Sequence, residues 1–373
     1  MSGPQVRSGS QTFLGGVRDD ESVPFVADRG PLTRSPSEPR IEGQLLNRKI
    51  GSLAHLARGV FNPPWPLTAP CPCGLSGLPY GRCCRRGGTE PYVGIRSLQP
   101  PGPPTGYSNP RCFARSTSDC SEQISREHYI SRSVLELMQT ISVTGVPWLE
   151  PGESRQYGVE ALTAKILCKR HNEALSPLDT HARQFARAWT SAINHASRPS
   201  RSERSEHFLV SGEAFERWLL KAMIGLFVSK IAAFDRKPAT ANFRFNLEPL
   251  VKALFGEGLQ APKGLYLDPH LGEGTTNSIS FAPIQMEGQG NLYGLMVDFH
   301  GFHWLLVTDE AGGEDRLSAN RGLYRVQMVD LNGPRRTSRI FMTWPARDRQ
   351  RTAIGFDLAE AQPGPAPNSP DSP

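Results

Sequence analysis

The seven cysteines of the chain divide between two groups, and both groups have the spacing of metal ligands. The first group lies in the run CPCGLSGLPYGRCC and comprises Cys71, Cys73, Cys83 and Cys84. Four thiolates within one short loop can bind zinc tetrahedrally, and the glycines of the run let the loop turn tightly around the ion. A four-thiolate site has no open coordination position, so its predicted role is structural. The alternative is four free thiols or a redox cluster.

The second group combines the remaining three cysteines with one histidine. Cys112 and Cys120 lie near one end of a region of the chain, and the run Cys168-Lys-Arg-His171 lies near the other end. Three thiolates and an imidazole form a second tetrahedral zinc set, whose C-x2-H half has ordinary zinc spacing. Such an ion would join two segments that are distant in sequence. The alternative is a set of buried thiols without an ion, which is common in protein cores.

The segments joined by the second group carry residues suited to phosphodiester hydrolysis. Glu127 and His128 stand between the cysteines, and Asn172 directly follows His171. This hydrolysis needs a base that deprotonates water and a cation that stabilises charge on the phosphate. Histidine, with an ordinary pKa of about 6.5, suits the base, and carboxylate and amide oxygens suit a hard ion such as Mg2+ or Mn2+. The alternative for a neighbouring Glu and His is a simple surface pair.

The first cysteine group closely resembles the SEC-C motif, named for the zinc-binding tail of the bacterial preprotein translocase ATPase. The PCPCG start, the Ser-Gly pair, the tyrosine and the terminal Cys-Cys are all present at 70–84. The departure is one extra residue, Leu75, which lengthens the loop. The resemblance implies a structural zinc and a surface for a protein partner.

Residues 112–179 resemble the HNH endonuclease family, the ββα-metal fold. In that family a strand carries an acidic–His pair, and a later Leu-Cys-x2-Cys-[His/Asn] segment closes a zinc site and starts the helix with the last ligand. Glu127 and His128 match the pair, and the run LCKRHN matches the later segment, with His171 in place of its second cysteine. The resemblance implies that His128 is the general base and that Glu127 and Asn172 bind a catalytic Mg2+ or Mn2+.

The sequence departs from that family at two places. Thr163 stands where the family has the asparagine that orients the base, and a long insert occupies 145–158. A hydroxyl would orient the base less well than an amide, so the departure also allows a site without activity. The candidate catalytic residues are Glu127, His128, Thr163 and Asn172.

Short helices and strands must position these residues. Ser176 suits an N-cap and Pro177 the first position of a helix, and apolar residues follow at helical spacing from Leu178 to Ile193. Further helices are predicted at 134–141, 213–234 and 247–254. After Pro262 the pattern changes to short runs separated by Gly, Asn and Pro turns, which is typical of strands. The predicted strands are Gly264–Leu267, Ser278–Phe281, Leu292–Phe299, Trp304–Thr308, Tyr324–Val329 and Arg339–Thr343.

Helices followed by consecutive strands indicate an α+β fold. The predicted class is a small zinc-stapled ββα-metal-like module plus a C-terminal helix and antiparallel-sheet domain, with disordered termini. The predicted units are a disordered tail (1–48), a SEC-C-like zinc knuckle (66–92), a Pro-rich linker (93–110), the HNH-like module with its following helix (111–198), an α+β domain of unassigned role (207–345) and a second disordered tail (360–373).

Composition and charge exclude several classes of protein. The chain has 373 residues, of which 38% are hydrophobic, so it can form a core. The N-terminal residues lack the apolar segment of a secretory signal, and the most apolar stretch, 218–234, is too short and too charged to span a membrane. An odd number of cysteines argues against a disulfide scaffold. We therefore expect a soluble, cytoplasmic protein that does not bind a membrane.

The formal charge of +6 and the pI near 9.0 favour an anionic partner such as nucleic acid. Five arginines between 183 and 204 could follow a phosphate backbone, although a solvated charged face is equally consistent with them. They are Arg183, Arg187, Arg198, Arg201 and Arg204.

Three functions are consistent with the sequence. The first is a metal-dependent HNH-like endonuclease, with DNA favoured over RNA and with two structural zinc ions. The second is a non-catalytic zinc protein whose two modules bind nucleic acid or protein. The third, weaker hypothesis is a metal enzyme with its site at Asp298, His300 and His303, although this strand–turn–strand pattern more often places such side chains in ordinary hydrogen bonds.

Overall fold

The structure is a computed structural model. It describes residues 64–85, 91–95, 97–138, 141–144, 149–150, 153–231, 245–268, 278–286, 292–309, 322–345 and 352–358, together with the backbone of six further short strands.

Four α-helices lie within the described residues, and two of them are long enough to organise the core. They are α1 (Arg132–Leu135), α2 (Lys169–Ala196), α3 (Gly212–Val228) and α4 (Leu247–Phe255). The helix predicted at 134–141 is α1 followed by a 3-10 turn, Glu136–Met138. The helix predicted at 247–254 is confirmed as α4.

Helix α2 begins earlier than the sequence predicted. The prediction placed the N-terminus at Ser176, but the helix starts at Lys169 and continues through Pro177 to Ala196. Proline has no N–H, so the carbonyl of Glu173 loses its helical donor at this point. The Ser176 hydroxyl donates to that carbonyl at 2.9 Å instead. Ser176 therefore compensates, inside the helix, for the N–H that Pro177 lacks, and it is not the N-cap.

Helix α3 ends six residues before the predicted end at Phe234. Lys230 adopts a left-handed φ of 63°, and its N–H bonds back to the carbonyl of Phe227 at 3.0 Å. The N–H of Ile231 bonds to the carbonyl of Leu226, also at 3.0 Å. This pair of bonds is a Schellman motif, which satisfies the last carbonyls and terminates the helix.

An antiparallel hairpin precedes α2 and forms a ββα unit with it. Its strands are β5 (Ile124–His128) and β8 (Thr163–Cys168), and they form a separate two-stranded sheet. The register pairs Ile124 with Cys168 and His128 with Thr163, with an irregularity between Ser125 and Glu127. Because β8 runs directly into α2, the end of the hairpin and the first helical turn are held together.

A five-stranded mixed sheet lies beside α2. Its order is β4 (Ile50–Arg58), β19 (Thr352–Leu358), β17 (Met328–Asn332), β18 (Arg336–Thr343) and β9 (Arg204–Ser211). The pairs β17–β19 and β18–β9 are parallel, and the other two pairs are antiparallel. The largely antiparallel arrangement predicted for the C-terminal strands therefore does not extend to this sheet.

A second, ten-stranded sheet is antiparallel throughout. Its main path is β16 (Leu323–Tyr324), β12 (Gly264–Leu267), β15 (Phe302–Val307), β14 (Leu292–Phe299), β13 (Ser278–Met286), β3 (Arg40–Glu42), β6 (Ser142–Thr144) and β7 (Arg155–Gln156). Two more strands, β1 (Val6–Ser8) and β2 (Gln11–Phe13), continue from β13. A separate hairpin joins β10 (Ala233–Phe234) to β11 (Lys237–Pro238).

One predicted strand, Tyr324–Val329, is divided between the two large sheets as β16 and β17. Arg325 lies at the division with a positive φ of 44°. Its guanidinium forms two bonds of 2.7 and 2.9 Å to the carboxylate of Glu216 on α3. The buried ion pair holds the chain where it crosses from one sheet to the other.

The predicted linker, 93–110, packs against the rest of the protein. Leu98 is buried in the main core. The Val93 N–H donates to Thr343 Oγ1 at 2.9 Å, and the guanidinium of Arg170 donates to the carbonyls of Pro101 and Pro103. The described residues of the segment form no helix or strand because of its prolines, but its backbone is bonded to β18 and α2.

One hydrophobic core joins the ββα unit to the C-terminal elements. It contains residues of α2, α3 and both large sheets, among them the fully buried Trp189, Trp218 and Trp304. The α+β class is confirmed. Strands β1, β2 and β3 lie within the tail predicted at 1–48; the rest of that tail and the tail at 360–373 fall outside the described residues.

Candidate metal centres and the Glu127–His128 site

The second cysteine group forms a compact, fully buried cluster with His171. The four predicted ligand atoms lie within 4.8 Å of one another. His171 Nδ1 is 3.6 Å from Cys112 Sγ, 3.7 Å from Cys120 Sγ and 3.2 Å from Cys168 Sγ. A tetrahedral zinc with ordinary bond lengths would set such S···N distances at about 3.6 Å. The cluster therefore has the size and the donor atoms to hold a metal ion such as zinc.

Backbone pairing explains why these residues meet. Cys168 ends β8 and stands at the N-cap position of α2, which places His171 one turn into the helix. The loop that carries Cys112 is attached to β8 by the N–H of Phe113, which donates to the carbonyl of Ile166 at 2.9 Å. The hairpin and the helix start thus bring the two halves of the cluster together.

Thr117 orients the histidine of this cluster, although no sequence pattern indicated this residue. Its hydroxyl lies 2.8 Å from Nε2 of His171 and donates to the carbonyl of Ala114 at 2.9 Å. Because that hydrogen is already used, the hydroxyl accepts the proton of Nε2. The tautomer with Nε2–H leaves Nδ1 as the lone-pair donor that faces the three sulfurs. The motif gave no signal for Thr117, because it lies 54 residues from His171.

Backbone N–H groups also point at the sulfurs. Those of Ser121 and Cys168 donate to Cys168 Sγ and Cys112 Sγ at 3.4 and 3.3 Å. Burial disfavours the Cys168 thiolate, but the N–H groups of His171 and Ser121 outweigh that effect and lower the pKa of this thiol. Burial raises the pKa of Cys112. Since neighbouring buried thiolates repel one another, their joint deprotonation requires a bound cation.

The first cysteine group is a second compact cluster. Cys71 Sγ lies 3.4 Å from Cys84 Sγ, and Cys83 Sγ lies 3.6 Å from the sulfurs of both Cys73 and Cys84. The S···S distance around a tetrahedral zinc is about 3.8 Å. The extra loop residue, Leu75, donates its N–H to Cys73 Sγ at 3.5 Å. The inserted residue thus takes part in the cluster without widening it.

Two left-handed glycines turn the loop of the first cluster. Gly74 and Gly77 both have a φ of 65°, which a side chain would strain. The turn places the Ser76 hydroxyl 2.9 Å from Cys83 Sγ. Hydrogen bonding with the sulfur of Cys84 lowers the pKa of the Cys73 thiol to about 5.

The first cluster packs on the face of the five-stranded sheet that points away from the main core. Its buried Tyr80 and cysteines form a small hydrophobic group with Leu209, Met328, Phe341 and Ala353. On α2, the side-chain amide of Gln184 donates to the carbonyls of Cys73 and of Leu209 on β9. Helix α2 therefore contacts both clusters, one at its start and the other in its middle.

Glu127 is buried, and its carboxylate pairs with a lysine from another helix. Lys221 Nζ on α3 lies 2.6 Å from Glu127 Oε1 and 2.9 Å from Asp179 Oδ1. Burial raises the pKa of Glu127 against the opposing effect of Lys221. Burial of Lys221 opposes its charge, but Asp179 and Glu127 outweigh that and raise the pKa of Lys221. The three side chains form a charged triad, in which Asp179 is partly exposed, and neither the motif nor its spacing indicated it.

His128 lies next to this triad at the end of β5. Its Nε2 has no hydrogen-bond partner among the described residues, and Oε2 of Glu160 lies 3.9 Å away. Burial lowers the pKa of His128 against the opposing charge of Glu160, so the imidazole is neutral at pH 7. Thr163 faces His128 across the hairpin, but its hydroxyl donates to the carbonyl of Glu160 at 3.2 Å.

Asn172 is half-buried in the first turn of α2. The residue of α2 that meets Glu127 through Lys221 is Asp179, seven positions further along the helix. Seven residues are two helical turns, or about 10 Å along the axis. The structure thus joins Glu127 to Asp179 in one network, and among the residues that it describes no hydrogen bond links Glu127 to Asn172.

The third predicted set, Asp298, His300 and His303, lies at the turn between β14 and β15. Asp298 Oδ1 accepts the Gly301 N–H at 3.0 Å, and its Oδ2 lies 3.3 Å from His303 Nε2. His300 has a φ of 55°, and its Nε2 lies 3.5 Å from the hydroxyl of Thr190. These contacts form a buried turn, and the set is not among the metal-binding groups found in the described part of the chain.

The chain matches no protein-family model and has no significant match among curated proteins or solved structures. The two motif resemblances therefore depend on their own residues. Within the described ranges, no helix has both the length and the hydropathy that a bilayer span requires.

Proposed function

We propose that the protein is a phosphodiester hydrolase of the HNH endonuclease type, with two structural zinc ions and with nucleic acid as substrate, DNA being favoured over RNA. The observation that supports this most is the ββα unit itself. The Cys112–Cys120–Cys168–His171 cluster joins the hairpin to the start of α2, and the same hairpin carries His128 opposite Thr163.

His128 is the proposed general base. A neutral imidazole can accept a proton from water at pH 7, and burial favours that neutral form by lowering its pKa. Its Nε2 is shielded from solvent and has no hydrogen-bond partner among the described residues, so a water that enters beside it would meet a lone pair that the protein does not engage. Thr163 would support the hairpin through its backbone, because its carbonyl accepts the Tyr129 hydroxyl at 2.9 Å.

Both zinc ions would be structural. Each cluster supplies four soft ligands, and the Cys3His cluster is wholly buried, so neither ion would keep an open position for substrate. A zinc ion supplies no chemistry at such a site, but it holds the β5–β8 hairpin against α2.

The Mg2+ or Mn2+ predicted between Glu127 and Asn172 does not fit the residues as they are arranged. Glu127 Oε1 is 2.6 Å from the ammonium of Lys221, so a positive charge already lies beside that oxygen. A hard divalent ion requires several oxygen ligands and tolerates a neighbouring ammonium poorly. His128 is therefore the residue of this chain that takes part directly in the proposed reaction.

Nucleic acid as the substrate is supported by charge. The formal charge is +6, and Arg187, Arg198, Arg201 and Arg204 are exposed on the second half of α2 and on the segment that follows it. Exposed guanidinium groups along one stretch can bind successive phosphates, and this binding weakens as the salt concentration rises.

A second candidate is a non-catalytic zinc scaffold that binds nucleic acid or a protein partner. The ion pair between Glu127 and Lys221 favours it, because it occupies the carboxylate that the HNH-like chemistry would use. Under this candidate, the SEC-C-like first cluster and the ββα unit are binding platforms.

A nuclease assay tests the proposal. Zinc-loaded protein is incubated with supercoiled plasmid and with single-stranded RNA, with and without added Mg2+ or Mn2+, as wild type and as His128→Ala. We expect cleavage by wild type and at least a ~100-fold loss in the variant, the usual contribution of a general base.

Zinc content and circular dichroism of His128→Ala provide the control, since both should equal those of wild type. Binding of nucleic acid without cleavage, unchanged by the substitution, would favour the non-catalytic scaffold and reject the hydrolase.

A further inference from the structure

Lys221 is a charged side chain on the buried helix α3. Its side chain is 5% exposed, and its Nζ has three carboxylate oxygens within 3.1 Å: Glu127 Oε1 at 2.6 Å, Asp179 Oδ1 at 2.9 Å and Asp179 Oδ2 at 3.1 Å. Moving an ammonium into a protein interior costs several kcal/mol unless it is paired. Hydrophobic packing does not require a lysine here, so its charge has a role at this place.

Hydrogen bonds from the surroundings hold Asp179 in position beside that charge. The Ser131 hydroxyl donates to Asp179 Oδ1, and the Trp218 indole donates to the same hydroxyl at 2.6 Å. The Ser133 hydroxyl donates to the backbone carbonyl of Asp179 at 3.1 Å. Three elements (β5, α2 and α3) therefore converge on one cation position, and the charges of Asp179 and Lys221 act on His128.

We infer that Lys221 is a built-in cation that occupies the place of a divalent ion in the His128 site, so that this site binds no Mg2+ or Mn2+. Two carboxylates from different elements, both within bonding distance of one positive centre, form the kind of oxygen set that a hard cation takes. Lys221 supplies that charge from α3 without a free ion. The catalytic role of this site rests on the proposed function. The identity of the cation that the site holds does not.

Manganese binding tests the inference without any substrate. Zinc-loaded wild type, Glu127→Gln, Lys221→Met and the double variant Glu127→Gln/Lys221→Met are titrated with Mn2+ and followed by electron paramagnetic resonance. We expect Lys221→Met to bind one Mn2+ per chain, because it keeps both carboxylates and loses the ammonium. We expect the double variant, which has the same volume but one carboxylate fewer, to lose that ion.

In wild type we expect no Mn2+ to bind through Glu127, so wild type and Glu127→Gln should bind the same amount of Mn2+. A bound Mn2+ in wild type that disappears in Glu127→Gln would overturn the inference, and so would a folded Lys221→Met that takes up no Mn2+. If Lys221→Met does not fold, the comparison of wild type with Glu127→Gln still decides.

The nuclease assay separates this inference from the proposed function. A protein that cleaves nucleic acid only with Mg2+ and binds Mn2+ through Glu127 keeps the hydrolase and rejects the built-in cation. A protein that behaves as expected in the titration and cleaves nothing keeps the built-in cation and rejects the hydrolase.

Discussion

At the residue scale, the geometry of the Cys3His cluster depends on a side chain that is not a ligand. Thr117 accepts the Nε2 proton of His171 and so presents Nδ1 to the sulfurs. Hydrogen-bond partners of this kind orient metal-bound imidazoles in many proteins and strengthen metal binding.

We expect Thr117→Val to weaken zinc binding at this cluster by about 10- to 100-fold, because the imidazole loses its acceptor while the volume is kept. Competition with a chromophoric chelator measures the affinity. Ser116→Ala, at an exposed position in the same 3-10 turn, is the matched control and should leave the affinity unchanged. Equal affinities for wild type and Thr117→Val would show that Thr117 does not orient the ligand.

The sequence predicted the eight residues of the two clusters because cysteine and histidine spacing is local and chemically specific. It did not predict Thr117, Asp179 or Lys221. These residues reach their partners through tertiary contacts between separate elements, and their types occur throughout any surface. The pairing of Glu127 with Lys221 depends on how α3 packs against the hairpin, which no local pattern encodes.

At the scale of elements, helix α2 is the main organiser of the structure. It begins at the Cys3His cluster, passes through Pro177 and reaches the first cluster with Gln184. The sequence misplaced its start because Ser-Pro is usually an N-terminal signal. Here the packing of Ala174 and Leu175 in the core outweighs the local preference.

Pro177→Ala should stabilise the protein by about 1 to 3 kcal/mol, since alanine restores the helical N–H to the Glu173 carbonyl and has the higher helix propensity. Urea unfolding of the zinc-loaded protein measures the change. Ser176→Ala in the wild-type background removes the hydroxyl that now bonds this carbonyl and should destabilise by about 0.5 to 1.5 kcal/mol. A destabilising Pro177→Ala would mean that the proline supports the helix.

At the scale of the whole molecule, the two clusters differ in how much of the hydrophobic core they contact. Cys112, Cys120 and Cys168 belong to the main core, whereas the first cluster belongs to a small group on the outer face of one sheet. The sequence predicted the α+β class and most C-terminal strands. It could not predict the shared core, because strand order and the crossing at Arg325 are long-range properties.

We expect two zinc ions per wild-type chain and one per chain in Cys73→Ser, with most of the fold retained. Cys120→Ser should lose the other ion and unfold the protein broadly, because the vacated ligand position lies in the main core. Elemental analysis gives the zinc content, and near-ultraviolet circular dichroism reports the core tryptophans. The reverse ranking of the two variants would contradict the assignment of the main core to the second cluster.

Buried histidines should make stability depend on pH. Burial lowers the pKa of His181, and of His128, in the folded state, whereas both titrate near 6.5 when unfolded. The unfolded chain therefore binds more protons below about pH 6.5, so the free energy of unfolding falls as the pH drops through that value. Urea titrations between pH 7.5 and pH 5.5, values chosen on each side of about 6.5, measure it. His181→Gln should reduce the slope of the free energy of unfolding against pH. An unchanged slope would show that His181 does not contribute to this pH dependence.

The two clusters also differ in the length of the loop that must close before a metal ion can bind. The first closes within 14 residues, from Cys71 to Cys84, while the second spans the 60 residues from Cys112 to His171. Closing the longer loop costs about 1.3 kcal/mol more in chain entropy. During synthesis the N-terminal ion can load as soon as its own loop has left the ribosome, whereas the other must wait for the hairpin and the first turn of α2. Nascent chains stalled before residue 168 should accordingly carry a single metal.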